Sequence, residues 1–448
     1  MKRKNIKIQN VSYIVISLII SFVLFSCEGR NRRNSEDNDK NTQSSTDKDT
    51  LAIDSDTIQN KLNNKTKVYF YIENSASIFG YINGFTDYID VVNELAAMPK
   101  FEENNIEREY YFINGRKDLK VNYIGSSKEG NILVDKFNKS KNAYNSGDVS
   151  ASDLNTMFQL ALQKASDNDI SILISDGIYD IKDKRAPKAA LVTEGKNTRT
   201  QFINRLSQGD LQTILVKLQS DFNGKYYFVT KYNAKGRQKY IKIKQKRPYY
   251  IWIFGKSELL NEYFTDEYLS SLKGFNDLVR FLKNEKTNIP YEISNKENIG
   301  RFDFDRDNPK MLKNVSFNER DNIFQFSFKV DYSTLPFPNE YFTNVENYEC
   351  IGTGKYNVKK IVNINDKKYT HLITVYTKTS PYGKLSVNLK NVLPDWIEKT
   401  STLEENETKV DESTTFGFKF LIDGISEAYI YMNKGNKYIA TFEFILTK

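Results

Sequence analysis

Apolar and polar residues follow two different rhythms along the chain, and the change from one to the other divides it. From Lys67 to about Lys286, short continuous apolar runs alternate with stretches whose apolar residues recur at helical spacing. This is the pattern of buried strands separated by amphipathic helices. Val68 to Ile72 (VYFYI) and Ile170 to Ile174 (ISILI) are such runs. Between them, Phe85, Tyr88, Ile89, Val92, Leu95 and Ala96 predict a helix. Arg108–Ile113 and Leu119–Ile124 flank Asn114-Gly115, which predicts a β-hairpin. Leu154, Met157, Phe158, Ala161, Leu162 and Ala165 predict a second helix. Thr198 to Leu218 is expected as a further helix, carried by Phe202, Ile203, Leu206, Leu211, Ile214, Leu215 and Leu218. Strands Tyr226–Thr230 and Tyr249–Phe254 then flank an inserted basic ribbon, Lys239–Lys246, and helices around Glu258–Phe264 and Phe275–Lys283 close the region. The alternation is that of an α/β domain over 66–290.

Over 300–448 the rhythm becomes that of short strands. Ile323–Val330, Ile361–Ile364, Thr370–Thr377, Lys384–Leu389, Phe416–Ile422, Ala428–Met432 and Tyr438–Leu446 are expected to be strands. Turn signals at Pro381-Tyr382-Gly383 and Asn433-Lys434-Gly435 lie between some of them. The expectation is a smaller antiparallel, sandwich-like domain without a helix of any length.

The amino terminus reads differently. Met1-Lys2-Arg3-Lys4 is basic, and the apolar run Val11–Phe25 is shorter than the roughly 20 residues that span a bilayer. It ends in Leu24-Phe25-Ser26-Cys27. The expectation is a signal peptide over 1–26. The ending resembles a bacterial lipobox, and that resemblance implies cleavage before Cys27 and lipid on its thiol. The product would be a lipoprotein of the cell envelope, anchored to a membrane. Glu28, where Asp would favour inner-membrane retention, points to the outer membrane. Residues 27–65 are Asn, Asp, Ser, Thr and Lys with few apolar side chains, the composition of a disordered tether with an r.m.s. span of about 35 Å.

Composition narrows the function classes. A chain of 448 residues has room for two or three domains, and a net charge of +8 at this length does not demand nucleic acid. Basic residues do concentrate at Lys231, Lys235, Arg237, Lys239, Lys242, Lys244, Lys246 and Arg247, with Tyr232, Tyr240, Tyr249 and Tyr250 nearby. Such a cluster can bind a polyanion, or it can keep an exposed strand edge from pairing with other chains. The second role is preferred, and no nucleic-acid partner is expected. Cys27 and Cys350 are the only cysteines, so with Cys27 acylated no intrachain disulfide forms, and Cys350 is expected as a small buried apolar residue. His371 is the only histidine, which excludes a histidine-cluster metal site and leaves any nucleophile–base pair with Cys350 dependent on it.

Candidate chemistry lies at the ends of the two apolar runs. The first ends in Glu73-Asn74-Ser75-Ala76-Ser77, the second in Ser175-Asp176-Gly177, and Ser152-Asp153-Leu154-Asn155 opens the helix between them. Together they resemble the metal-ion-dependent adhesion site (MIDAS) of von Willebrand factor type A (vWA) domains. The resemblance covers Lys67 to about Lys286. It implies a doubly wound, mostly parallel sheet in which the ends of the first and fourth strands meet. It also implies a divalent cation, Mg²⁺ or alternatively Ca²⁺ or Mn²⁺, held by Glu73, Ser75, Ser77, Ser152 and Asp176. An acidic side chain of a protein partner would fill an open coordination position. Two residues depart from the family pattern. Ser152 stands where Thr is usual, and Glu73 replaces Asp, moving its carboxylate by about 1.5 Å, one C–C bond. Each residue also has a local explanation: Ser150 and Asp153 fit a helix capping box, Ser75 and Ser77 fit caps, and Asp176-Gly177 fits a turn. The expected function is adhesion-type binding, not catalysis. The alternatives are a metal-dependent phosphoesterase-like hydrolase using Ser75 or Ser77 as nucleophile, and a scaffold with a degenerate metal site.

The leader reading has a direct test. Mass spectrometry of the mature protein is expected to find an acylated Cys27 at its amino terminus. An intact Met1, or a Cys27→Ser variant that matures and fractionates like the wild type, would refute it.

Overall fold

In the computed structural model, residues 66–448 are described except 117, 130–132, 134–135, 138–146, 167, 182–184 and 284–288. The expected leader, Cys27 and the tether over 1–65 lie outside the described residues. The first layer comprises β1 (Lys67–Glu73), α1 (Asp87–Ala96), α2 (Pro99–Glu103), β2 (Glu107–Asn114), β3 (Lys120–Ser126), α3 (Leu154–Lys164), β4 (Ile170–Ser175) and α4 (Pro187–Leu206). It continues through β5 (Gln212–Tyr232), β6 (Gln238–Gly255), α5 (Ser257–Tyr263), α6 (Asp266–Ser271) and β7 (Phe275–Leu282).

These strands form one seven-stranded sheet in the order β3-β2-β1-β4-β6-β5-β7. β1 lies between β2 and β4 and runs parallel to both. The remaining pairings are antiparallel, so the sheet is mixed and not mostly parallel as expected. The cause is the short connection between β5 and β6: a tight turn can join only antiparallel strands, whereas a parallel pair needs a long crossover.

Two stretches expected as helix are strand. α4 ends at Leu206, and Gly209, at φ +155°, precedes β5, so Leu211–Leu218 leads into and through a strand. Phe275–Leu282 is likewise β7, pairing with β5. In β5, Ile214, Val216 and Leu218 enter the core on one face of the sheet and Leu215 the core on the other. A strand buried on both faces has no polar alternation, so its apolar positions also match a helical period.

The second layer begins with β8 (Tyr291–Ile299), β9 (Arg301–Phe304), β10 (Met311–Ser316), β11 (Phe324–Val330), α7 (Asn339–Thr343), β12 (Tyr348–Gly352), β13 (Tyr356–Asn363), β14 (His371–Thr377) and β15 (Gly383–Lys390). α8 (Asp395–Thr400), β16 (Ser401–Thr402), β17 (Thr415–Phe416), α9 (Phe418–Met432) and β18 (Tyr438–Leu446) complete the chain. A five-stranded sheet, β12-β15-β18-β10-β9, faces a four-stranded one, β13-β14-β11-β8. Phe326 and Phe328 of β11 meet Phe444 of β18 at ring-centroid distances of 5.2 and 4.8 Å. Aromatic contacts of this kind between inward faces are what hold a sandwich together.

The expectation of a helix-free carboxyl-terminal region is corrected. Phe416–Ile422 and Ala428–Met432 are not two strands; nearly all of that segment is the single helix α9. Its Phe, Ile and Tyr residues favour strands and Gly424 disfavours helix. Yet Phe418, Leu421, Ile422, Ile425, Ala428 and Tyr429 share one helical face, and all are buried in the core of the first layer with Phe158, Phe202 and Trp252. α9 crosses α4 closely. A Cβ on Gly424 would lie 2.3 Å from the carbonyl oxygen of Gly195, and one on Gly195 would lie 2.6 Å from that of Phe420. Residues 395–432 thus complete the α/β core, while β15 and β18 on either side of them belong to the sandwich.

Gly424→Ala is accordingly expected to destabilise the protein by about 1–3 kcal/mol, the usual cost of overpacking a closed contact. Urea denaturation should show a lower midpoint at unchanged slope.

Candidate functional site

Ligand sites in open α/β sheets form beyond the carboxyl ends of parallel strands, and the two end loops in question are those of β1 and β4. Glu73, the last residue of β1, is 1% exposed. The chain then turns into the loop that carries Ser75 and Ser77, held by bonds from Asn74 N to Ile113 O (3.1 Å) and from Ala76 N to Val149 O (2.7 Å). Ser152 arrives from a third segment. Gly115 N donates to Ala151 O (2.9 Å) and Asp153 N to Gly115 O (3.0 Å), so the residue before α3 is pinned to the β2–β3 turn. That turn needs glycine: Gly115 has φ +103°, and a Cβ there would lie 2.9 Å from Asp118 O.

The predicted residues come together. Ser75 Oγ and Ser152 Oγ each donate to Glu73 Oε1 at 2.6 Å, and Ser75 Oγ lies 2.8 Å from Ser77 Oγ. Asp176 is buried, bonded by the Ser77 hydroxyl and by Ile178 N, the latter at 3.1 Å. The local explanations are sorted as well. Asp153 caps α3 by accepting from Thr156 N at 3.2 Å, while Ser150 turns its hydroxyl to Asp148 and Ser152 turns its own to Glu73. The capping box therefore does not form as expected. Ser77 precedes a 3₁₀ turn at Ile78–Gly80 without a side-chain cap bond.

Burial dominates the electrostatics. Loss of water, reinforced by the nearby Asp176 charge, pushes the Glu73 carboxyl up to about 7 against the opposing hydrogen bonds of Ser152, Ser175 and Ser75. Burial also raises Asp176, opposed by Ser77, the Ile178 amide and the Arg247 guanidinium. Arg247 is 3% exposed, stacks over Tyr226 at 4.9 Å and donates to Asp411 O.

Glu73, Ser75, Ser77 and Ser152 line a cleft of about 300 Å³, and Asp176, which does not line it, is joined to it through the Ser77 hydroxyl. Ile178, Tyr179 and Asp180 form one wall, and Tyr227, Val229 and Gln238 from the β5–β6 ribbon form another. Asp180 is bridged by Arg116, whose Nε lies at 2.8 Å. Tyr179 is held from behind by the Thr198 hydroxyl, which donates to Asn155 Oδ1 at 2.7 Å. Ser175 was the site residue most open to detection: it is a hydroxyl at the end of a mostly apolar run, beside Asp176.

The donor set fits a hard divalent cation in kind: two carboxylates and three hydroxyls, all oxygen. A serine that donates its proton to a carboxylate keeps lone pairs for an ion. Two carboxyls raised by burial, Glu73 also by the Asp176 charge, form a site that a cation would relieve. No group of three or more His, Cys, Asp or Glu side chains suited to a metal occurs among the described residues, so any such ion would depend on the serines.

Cys350 and His371 do not form a pair. His371 Nδ1 lies 2.7 Å from Thr370 Oγ1 and its Nε2 lies 3.2 Å from Asn339 Oδ1, while burial pushes the Cys350 thiol up to about 12. No protein-family model, curated protein or solved structure matches the chain.

A carboxyl raised from 4.5 to about 7 on folding binds more protons in the folded than in the unfolded state between those values. Its stabilising contribution is present below about pH 4.5 and is lost as pH rises through about 7. In chelator, stability is therefore expected to fall across that window, and Glu73→Gln should flatten the fall. Chemical denaturation at a series of pH values, with an unchanged slope in Glu73→Gln as the contrary result, checks this.

Proposed function

We propose that this chain is a lipid-anchored binding protein of the cell envelope, extracytoplasmic and attached through Cys27 to what we take to be the outer membrane. Its cleft would hold a divalent cation, Mg²⁺ or alternatively Ca²⁺ or Mn²⁺, and engage an acidic side chain of a protein partner. One observation carries this reading: Glu73, Ser75, Ser77, Ser152 and Asp176, from three separated segments, converge at the ends of two adjacent parallel strands, β1 and β4. The type A resemblance supports it. In such a site Glu73 and Asp176 supply the charge that holds the ion. Ser75, Ser77 and Ser152 would add hydroxyl oxygens to the ligand set, and Ile178 and Val229 give the cleft apolar walls. A bound cation would supply positive charge and a free coordination position for the partner's carboxylate.

A second reading rests on one contact. Ser75 Oγ lies 2.6 Å from Glu73, whose carboxyl burial pushes up to about 7, and this is the spacing of a nucleophile and its general base. It favours a hydrolase, phosphoesterase-like, with Ser75 as nucleophile.

Melting of the purified protein with Mg²⁺, Mn²⁺ or chelator tests the first reading. Stabilisation of about 2.7 kcal/mol is expected when free metal is 100-fold above its dissociation constant. Asp176→Ala should abolish the gain and Glu73→Asp should retain it. No shift at millimolar metal would refute the cation site, and turnover of a phosphoester probe that Ser75→Ala abolishes would favour the second reading.

A further inference from the structure

The β5–β6 ribbon has two unlike faces. Residues directly opposite in an antiparallel pair share a face, and successive residues of a strand alternate between faces. Tyr227 pairs with Tyr240, Lys225 with Lys242, Asn223 with Lys244 and Asp221 with Lys246, which places these side chains on one face. Tyr226, Phe228, Ile241 and Ile243 lie on the other, packed together with Val410.

Val410 belongs to an acidic segment of the same chain, 402–413, which is tied to the ribbon along its length. The Glu405 carboxylate accepts from Val229 N (2.6 Å), Thr230 N (2.7 Å) and Thr230 Oγ1 (2.6 Å). Glu407 pairs with Lys239 at 2.8 Å. Gln245 donates to Val410 O at 3.0 Å, and Arg247 donates to Asp411 O. The ribbon therefore already binds one irregular acidic peptide, its own, through lysine, backbone amides and an apolar anchor.

The opposite face carries the same chemistry, and among the described residues no acidic segment is tied to it. Lys242, Lys244 and Lys246 stand in a row about 7 Å apart, set by two residues of strand rise. Lys225 Nζ lies 4.3 Å over the Tyr240 ring, which is 48% exposed and packs tilted against Tyr227 at a ring-centroid distance of 5.6 Å. Asp221 is the one acid among the paired positions of this face. The row ends at Tyr227, which lines the cleft. These lysines project from one face of β6, whose pairing with β4 stops at Tyr250, while Glu405 caps the edge of β5 at Val229 and Thr230.

We propose that this face is a docking surface for an extended acidic segment of a partner protein. The surplus of charge is cationic and linear, and ammonium groups suit single carboxylates. One exposed ring at the end of the row suits a side-chain anchor, whereas single-stranded nucleic acid stacks successive bases on successive rings. The segment held on the ribbon's other face shows the mode of recognition. The docking needs no cation in the cleft, so it stands apart from the metal reading.

The test is fluorescence anisotropy of labelled oligoglutamate with the purified full-length protein in chelator, with polygalacturonate and anionic phospholipid vesicles titrated side by side. Oligoglutamate is expected to bind, more weakly as salt rises. Binding should weaken about tenfold in Lys242→Gln/Lys244→Gln/Lys246→Gln, the sum of three exposed ion pairs, and stay unchanged in Lys239→Gln. A melting temperature equal to wild type in the triple variant excludes unfolding as the cause. No oligoglutamate binding, an undiminished triple variant, an equal loss in Lys239→Gln, or tighter binding of polygalacturonate or vesicles would each overturn the proposal.

Discussion

Two carboxyl groups buried within reach of each other's charge constrain everything around the cleft. Glu73 and Asp176 end adjacent parallel strands, where neither is solvated. A buried carboxyl is tolerated only when hydrogen-bonded or neutralised. The surroundings answer in both ways. The serines are brought by three segments, the Ile178 amide by the turn after β4, and the Arg247 charge by the base of the ribbon. Features that look unrelated in the chain become related here. The glycine turn at Gly115 matters because it fixes Ser152, and the acidic segment matters because Asp411 O helps hold Arg247.

How much of this was legible depended on the range of each contact. β1, β4, the β2–β3 hairpin and α3 were readable because each is a local pattern with its own stop signal. The convergence of Glu73, Ser75, Ser77, Ser152 and Asp176 followed from placing those elements in order. The ribbon's part in the cleft was not readable, since nothing near Val229 announces that its amide will meet Glu405, 176 residues away. Nor did the basic run reveal that Arg247, Tyr249 and Tyr250 are buried while Lys242 and Lys244 are exposed. A strand that leaves a sheet and continues as a free ribbon passes from burial on both faces to burial on one. Composition averages over that passage.

The misread elements share a cause. Leu211–Leu218, Phe275–Leu282 and the segment around Phe418–Met432 are all rich in large apolar residues. In each, tertiary contacts and not intrinsic preference decide between helix and strand. β7 forms because β5 offers it an edge, and α9 forms because α4 offers a groove floored by Gly195.

The position of α9 has a consequence for the order in which the molecule can be made. Phe158, Phe202 and Trp252 are made well before the helix that covers them, which spans Phe418–Met432. During synthesis the first layer must wait, with apolar surface open, until residue 432 has arrived. Chaperone demand should therefore be set by how long residues 418–432 take to arrive, and a chain that stops short of residue 418 would be a sticky intermediate and not a smaller working protein.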